Sequence, residues 1–303
     1  MNSAAIDLTV IVLTLDEEDN IPDCLDSVMP LGCPLFVVDS GSTDATVEIA
    51  KVKGATVVQH PFENYGAQRN WSQKNLPITT EWVLHLDADE RLTSELRREI
   101  ISVLSGLSDD IDGYLLRRRT VFLGKWIKHG GHYPSYHARL YRKQSGRCED
   151  RLYDQHYIVD GKVQKLRGDM IDTTPDLADW TVRHARWAKA EAKELLLTGE
   201  REGRLQGRFF GSPIERRRWL RQSLYNRFPL FVRPLLYFLF RYFIRLGFVD
   251  GRQGLVFHFL QGFWYRFQVD AYILEHRLKK DEQPGQSEVE SLMPNPAKTE
   301  KSR

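Results

Sequence analysis

Residues 8–15 (LTVIVLTL) form a continuous, β-branched apolar run rather than an alternating one, the pattern of a strand buried on both faces. Such a strand needs helices on each side of its sheet, and the following segments supply them. Asp16-Glu17-Glu18-Asp19-Asn20 leads into a helix with Ile21, Leu25 and Val28 at helical spacing, and acids near a helix start suit its dipole. A second strand at 34–38 ends in Asp39-Ser40-Gly41-Ser42-Thr43-Asp44. There Gly41 permits a tight turn, and Ser42 or Thr43 can cap a helix to about Lys53. A third strand at 55–59, a helix from about Gly66 to Lys74 and a strand at 82–86 complete the alternation. The first hundred residues therefore predict an α/β fold with a mostly parallel sheet flanked by helices.

The charged residues of this half gather at strand ends. Asp16/Glu17, Asp39/Ser40 and Asp87/Asp89 each follow a predicted strand, so all three pairs line the carboxyl edge of the sheet, where open α/β sheets bind ligands. Asp87 and Asp89, two apart in an extended segment, point to the same side. Two hard oxygen donors suit Mg2+ or Mn2+ that takes the rest of its shell from water and phosphate. An acidic strand-to-helix turn with a capping Asp is the plainer reading of a lone D-x-D. No G-x-G-x-x-G follows the first strand and no Walker A loop occurs, which disfavours dinucleotide and P-loop sites. A nucleoside diphosphate held through a metal fits better, with Asp39 free to bond a base or ribose.

Taken together, VIVLTLDEEDNIPDCLDSV, FVVDSGSTDATVEIA, NYGAQRNWS and WVLHLDADERL resemble the N-terminal domain of family 2 glycosyltransferases, and most of all the branch of lipopolysaccharide core glucosyltransferases. The likeness is close over residues 6–105 and looser to about 200. It implies a fold of the glycosyltransferase-A (GT-A) type and a nucleotide-sugar donor, UDP-linked by default. It also implies that Leu15, Asp16 and Glu17 border the nucleoside and that Asp39, beside Ser40, contacts the base. Gln68 and Arg69 would lie by the nucleotide and diphosphate. Asp87, Ala88 and Asp89 would form the metal-diphosphate motif, with Asp87 and Asp89 as ligands.

Residues 112–142 are β-like and basic, with a loop marked by Gly130-Gly131 and Pro134. Trp126, His129, His132 and Tyr133 around it can stack on or hydrogen-bond a sugar, although ordinary packing in a surface hairpin is the competing reading. The resemblance assigns this loop to the acceptor. An inverting transfer needs a base near the acceptor hydroxyl. Asp154 is the first candidate and Asp150 the second, with Glu149 and His156 behind them; the plainer reading pairs these acids with Arg147 and Arg151. A long helix starts at Thr174 or Asp176 and runs to about Gly199, with His184 as a satisfied core residue.

Composition matters most at the C-terminal end. The chain has a net charge of +2, yet residues 208–280 carry 14 Lys/Arg against four Asp/Glu. Residues 229–248 are intensely apolar but interrupted by Arg233, Arg241 and Arg245, too short a run to span a bilayer. Arg241 and Arg245, four apart, predict one basic helical face beside Leu, Phe and Tyr, as in a helix lying in an anionic membrane interface. Basic residues interleaved with large aliphatics do not match a nucleic-acid module, so no nucleic acid is expected as partner. Cys24, Cys33 and Cys148 match no metal spacing and read as free thiols, and no export signal precedes the first strand.

The expected organisation is a catalytic domain over 1–200, a basic amphipathic helical membrane-associating extension over 201–280 and a disordered tail over 281–303. The expected activity is an inverting, metal-dependent transfer of a sugar to a lipid-linked saccharide, lipopolysaccharide or exopolysaccharide acceptor. It would take place in the cytoplasm, peripherally on the inner face of the cell membrane. The alternative is a non-catalytic sugar-nucleotide-binding scaffold subunit of a polysaccharide assembly complex. A sugar nucleotidyltransferase is disfavoured, because residues 16–19 are acidic where a triphosphate needs a basic, Gly-rich loop.

Overall fold

The computed structural model describes residues 6–106, 110–149, 151, 153–174, 176–197 and 205–282. Asp150 and the expected tail beyond Glu282 lie outside the described residues.

Strand β1 (Leu8–Thr14) is buried at all seven positions, as its unbroken apolar sequence requires. It lies between β2 (Leu35–Asp39) and β4 (Trp82–Asp87), parallel to both, and β3 (Thr56–Gln59) extends the parallel set beyond β2. Helices α1 (Ile21–Val28), α2 (Thr46–Val52) and α3 (Tyr65–Asn75) make the crossovers. In α1 the predicted Ile21, Leu25 and Val28, together with Cys24, are buried in the core beneath the sheet. In α3 the Asn64 side chain caps the Ala67 N–H, which fixes where the helix begins.

Beyond β4 the sheet is mixed rather than parallel. A short β5 (Glu90–Leu92) leads to α4 (Ser94–Ser105), then β6 (Gly113–Phe122), β7 (Lys125–Trp126) and β8 (Ser135–Arg142). A small ribbon of β9 (Gly146–Cys148) and β10 (Tyr157–Val159) precedes β11 (Val163–Thr174). The main order is β3-β2-β1-β4-β8-β6-β11-β5, with β7 on β6. β8 is antiparallel to both β4 and β6, β6 and β11 are parallel, and β5 closes the edge antiparallel to β11.

Helix α5 (Leu177–Leu196) is capped by Asp176, one of the two residues expected to start it. His184 is buried within it, donating its Nδ1–H to the Trp180 carbonyl at 2.8 Å and stacked on the Trp180 ring at 3.5 Å, the core role expected of it. After α6 (Pro213–Ser223) comes a helical hairpin. Its first arm is α7 (Val232–Leu239), continued by a π-helical turn at Phe240–Ile244. Its second arm is α8 (Gly251–Phe257), a π-helical stretch at His258–Trp264 and α9 (Tyr265–Glu282). Ala188 and Ala192 of α5 pack against Tyr265, Val269 and Ile273 of α9, joining hairpin to sheet domain.

The arginines of the hairpin do not form the outward basic face that their spacing predicts. Arg233 is buried against Asp270, and Arg241 is buried with its Nε donating to the Gly130 carbonyl at 2.9 Å; only Arg245 of the three is exposed. Gly130 has φ +69°, and a Cβ there would fall 2.1 Å from the His258 ring, so the contact between loop and hairpin depends on glycine. No helix among the described residues is long and apolar enough to cross a membrane.

Candidate active site at the carboxyl edge of the sheet

Register aligns the strand ends: Thr14 pairs with Asp39, and Leu13 with Asp87. The order reverses at β1, because β2 and β3 lie on one side and β4 on the other, and such a switch point opens a crevice. Two loops lock together along it. The Thr43 N–H donates to Asp16 Oδ1 at 2.7 Å and the Ser42 hydroxyl accepts from the Asp16 N–H at 2.9 Å. Asp16 holds φ +51° there. Glu18 accepts from the Ala45 N–H at 3.0 Å, and Glu17 accepts from the Asn20 amide at 2.7 Å. Asp39 is fully buried and accepts from the N–H groups of Gly41 and Ser42 in its own turn, so its oxygens shape the loop. Leu15 is exposed at the crevice edge. Gln68 is buried and ties Ser40 to His60, while Ala88 is buried and donates its N–H to Leu13.

The motif acids then divide. Both oxygens of Asp87 accept from Arg69 Nη2, at 2.8 and 3.0 Å, and Arg139 Nη2 bonds Asp87 and Glu90 at 2.7 Å each. Burial would raise the Asp87 carboxyl, but the Arg139 and Arg69 guanidiniums hold it well below the usual carboxylate range. Asp89 has no such partner. Burial pushes its carboxyl well above the ordinary value, and the nearby Asp172, Asp87, Glu17 and Glu90 add to the shift. Burial likewise raises Glu17. Asp89 and Glu17 meet Arg183 of α5, with Nη1 at 3.7 and 3.8 Å, and Asp172 meets Arg118 of β6, with Nε at 3.6 Å.

This cluster is short of positive charge. Among the described residues no three His, Cys, Asp or Glu side chains form a closed metal site. The donors still fit a hard divalent ion that completes its shell from a ligand phosphate and water. Asp89 has oxygens to give, whereas those of Asp87 already serve two arginines. Arg139, Glu90, Asp172 and Arg183 were not anticipated from the sequence. Glu90 sat within the acidic run, but Asp172 and Arg183 arrive from β11 and α5, and no local pattern marks them.

The base candidates lie across the β9–β10 ribbon. Glu149 is fully buried, bonded by Arg218 at 2.5 and 2.9 Å and by the N–H groups of Leu205 and His156, which makes it a clasp for α6. Asp154 has φ +57°, with its carboxylate 3.4 Å from His156 Nε2 and 3.2 Å from Arg221 Nη1. Burial opposes ionisation, yet His156 and Arg221 hold this carboxyl well below its usual range.

The four expected acceptor residues are separated by strand alternation. Arg117 and Arg119 of β6 pair with Asp169 on one face; Tyr133 donates to that Asp169 at 2.8 Å, and Arg119 lies 4.2 Å over the Trp126 ring. Arg118 and Thr120 occupy the other face with Asp172, and His132 joins them through a 2.9 Å bond to Thr120. His129 is bonded through both its N–H and its Nδ1 to Asp250 at the tip of the hairpin.

The fold defines an α/β protein with an acid-lined crevice at its topological switch point. Residues 9–159 match the family described as Glycosyl transferase family 2, and the chain belongs to that family of glycosyltransferases. The lipopolysaccharide core biosynthesis glycosyltransferase LpsC of Rhizobium meliloti is 24% identical, over 84% of this chain and 89% of that one. An uncharacterised glycosyltransferase of Rickettsia typhi is 25% identical, over 82% of this chain and 80% of its own. Among solved structures, Staphylococcus aureus TarS in complex with UDP is 16% identical over 91% of each chain, with a TM-score of 0.45. Glucosyl-3-phosphoglycerate synthase of Mycobacterium tuberculosis, in complex with Mn2+, UDP and glucosyl-3-phosphoglycerate, is 25% identical over 37% of this chain and 43% of that one, with a TM-score of 0.30.

Proposed function

We propose that the chain is an inverting, metal-dependent glycosyltransferase that moves a sugar from a nucleoside diphosphate donor to a lipid-linked or lipopolysaccharide-type acceptor at the inner face of the cell membrane. The observation that carries the reading is the half-buried Asp89–Glu17–Asp172 cluster at the switch point, three acids that meet two arginines, Arg183 and Arg118, among the described residues. Mg2+ or Mn2+ at Asp89, with Asp87 behind it, would supply positive charge to the departing diphosphate. UDP is the default donor nucleotide by family resemblance, and the name of the relative LpsC supports a lipopolysaccharide-type acceptor.

In this reading Leu15, Asp16, Glu17 and Asp39 frame the nucleoside, and Gln68 and Arg69 hold the Asp87 end of the crevice. The acceptor oxygen bonds the anomeric carbon, the bond from that carbon to the diphosphate oxygen breaks, and the hydroxyl proton passes to a carboxylate. We assign that carboxylate to Asp154, with Asp150 as the second candidate. Asp154 is ionised at neutral pH through its pairing with His156 and Arg221, so it stands ready to accept. Asp154→Asn is expected to lower turnover about a hundredfold or more with donor binding unchanged; an unaltered rate moves the role to Asp150.

Membrane association is supported by the outer surface of the hairpin. Leu235, Leu236, Leu239, Phe240, Phe243, Ile244, Phe248 and Val249 are all exposed there, as are the nearby Arg245 and Arg252.

The deciding experiment is calorimetric titration of UDP, GDP and dTDP, each with and without Mn2+. Metal-dependent binding of one nucleotide is the expected result. Absence of binding by all three would sink the donor site.

A further inference from the structure

We propose that Arg118, Arg217 and Arg241, with His132 and His137, enclose a second anion site that takes a phosphate group carried by the acceptor. The inference rests on the glycosyltransferase reading and specifies the acceptor chemistry.

The recess is built by sheet register. Arg118 of β6 stands opposite Ser135 of β8. The Ser135 hydroxyl accepts from Arg217 Nη1 of α6 at 3.1 Å and bonds His137 Nε2 at 3.2 Å. Two residues along the same face of β6, Thr120 bonds His132, whose ring lies 4.8 Å from the Phe257 ring. Arg241 closes the far side, 6.0 Å from that same Phe257 ring and 5.5 Å over Tyr237. Three guanidiniums thus converge from three separate elements.

Their charge is poorly matched. Among the described residues Arg217 and Arg241 have no carboxylate within ion-pair distance. Arg118 has only Asp172, at 3.6 Å, and its buried Nε lacks a hydrogen-bond partner. Burial keeps both His132 and His137 well below the usual imidazole range, and Arg118 and Arg217 reinforce this in each. Burial would raise the Tyr237 phenol, yet Arg241, Arg266 and Arg217 draw it below its ordinary value. Arg217 itself is exposed to solvent.

Forked guanidiniums match phosphate oxygens, and the neutral imidazoles add uncharged donors. Position separates this site from the one for the donor diphosphate. On one side Arg118 touches Asp172 of the Asp89 cluster; on the other, Arg241 and Tyr237 belong to the hairpin with the apolar outer face. An acceptor anchored at that face and reaching Asp89 passes through the recess.

The test measures inorganic phosphate binding to the full chain already saturated with UDP and Mn2+, for the unaltered protein and for Arg217→Gln. The expected result is binding that weakens about tenfold or more in Arg217→Gln, the loss of one charge-assisted contact, with UDP affinity unchanged. Absence of phosphate binding, or binding indifferent to Arg217→Gln, overturns the proposal. A parallel fall in UDP affinity also overturns it, because the arginines would then serve the donor. If UDP binds neither protein, the donor reading fails by itself, and phosphate binding without nucleotide still decides the recess. Displacement of bound phosphate by phosphatidic acid vesicles assigns the group to a lipid headgroup, and displacement by a soluble hexose phosphate assigns it to a phosphorylated saccharide. Displacement by neither removes the assignment to the acceptor.

Discussion

In the parallel strands β1–β4, Val10, Ile11 and Val12 are buried and the acids Asp39 and Asp87 stand at the carboxyl edge, whereas in the hairpin Arg233, Arg241, Asp250 and Asp270 are buried and many large apolar side chains, Phe243 and Ile244 among them, face outward. Ile244 is 71% exposed and Phe243 54%, while Arg241 is 5% and Asp270 0% exposed. The sheet follows the ordinary rule for water, that apolar surface is hidden and charge is left at the rim. The hairpin departs from that rule: Arg233, Asp250 and Asp270 persist there beside groups of opposite charge or hydrogen-bond partners, and Arg241 has the Gly130 carbonyl. Arg233 meets Asp270, Asp250 meets His129, and Glu191 gathers Arg221, Arg266 and the Tyr265 hydroxyl. On the proposed reading the two regions meet different surroundings: water over the sheet edge, an apolar medium along the hairpin.

The sharpest way to break the inverted half is to remove one member of its central pair. Asp270→Ala leaves Arg233 and the Phe231 N–H without their acceptor. A loss of about 3–5 kcal/mol is expected in denaturant unfolding. Replacing Arg233 and Asp270 together by Met and Leu should recover most of that loss; a double variant as unstable as the single one would show that the pair is not the cause. In the sheet half the matching change is Asp89→Ala. Removing that charge relieves repulsion within the acidic cluster, so stability should hold or rise while turnover falls by several kcal/mol of transition-state energy, about a thousandfold. Retained activity in a folded Asp89→Ala protein would end the metal role.

The sequence made the sheet half readable because both of its signals are local. An unbroken β-branched run means a strand covered on both faces, and acids after it mark the carboxyl edge, so the sequence alone locates β1, β2, β4 and the acids Asp87 and Asp89 at a strand end. Partners were not legible. Nothing near Asp87 in sequence indicates that Arg69 and Arg139 occupy its oxygens, or that Asp172 and Arg183 complete the cluster around Asp89. In the hairpin the same local reasoning gave the right element and the wrong face. Spacing put Arg241 and Arg245 together, but a π-helical turn at Phe240–Ile244 shifts the helical phase, and the Gly130 carbonyl draws Arg241 inward. Trp126, Tyr133 and His132 fell to opposite faces for a related reason, since a loop between two strands can feed either side of a sheet.

The outward apolar face gives a smaller effect. Ile244→Glu places a charge where the hairpin presents its most exposed aliphatic side chain. Vesicle flotation with anionic lipid is expected to weaken by about 1.5–3 kcal/mol, the worth of one buried large side chain. Circular dichroism and UDP binding should be unchanged, because the residue supports nothing inside. Equal flotation of variant and parent would leave the inversion without a membrane to explain it.

The finest comparison is titration, since each half buries an uncharged histidine. His85 lies between the Tyr141 and Tyr157 rings in the sheet, and burial, assisted by Arg69 and Arg139, lowers it to about 3. His258 lies under the hairpin tip, and burial, assisted by Arg241, lowers it to about 4. The ordinary value is 6.5 for both. Between these limits the unfolded chain carries the proton and the folded chain does not, so stability is complete above about pH 6.5 and falls as pH drops toward the folded values. Each site contributes a slope of up to about 1.4 kcal/mol per pH unit inside its window. His85→Phe keeps a ring in the stack without a proton to take, and should flatten the decline between pH 6.5 and 5 measured by urea unfolding. His258→Gln should flatten it by a similar slope, because desolvation acts on both imidazoles in the same direction whatever faces the outer surface. A decline in which only the sheet variant matters would mean that water reaches His258 and that the hairpin tip is open in solution.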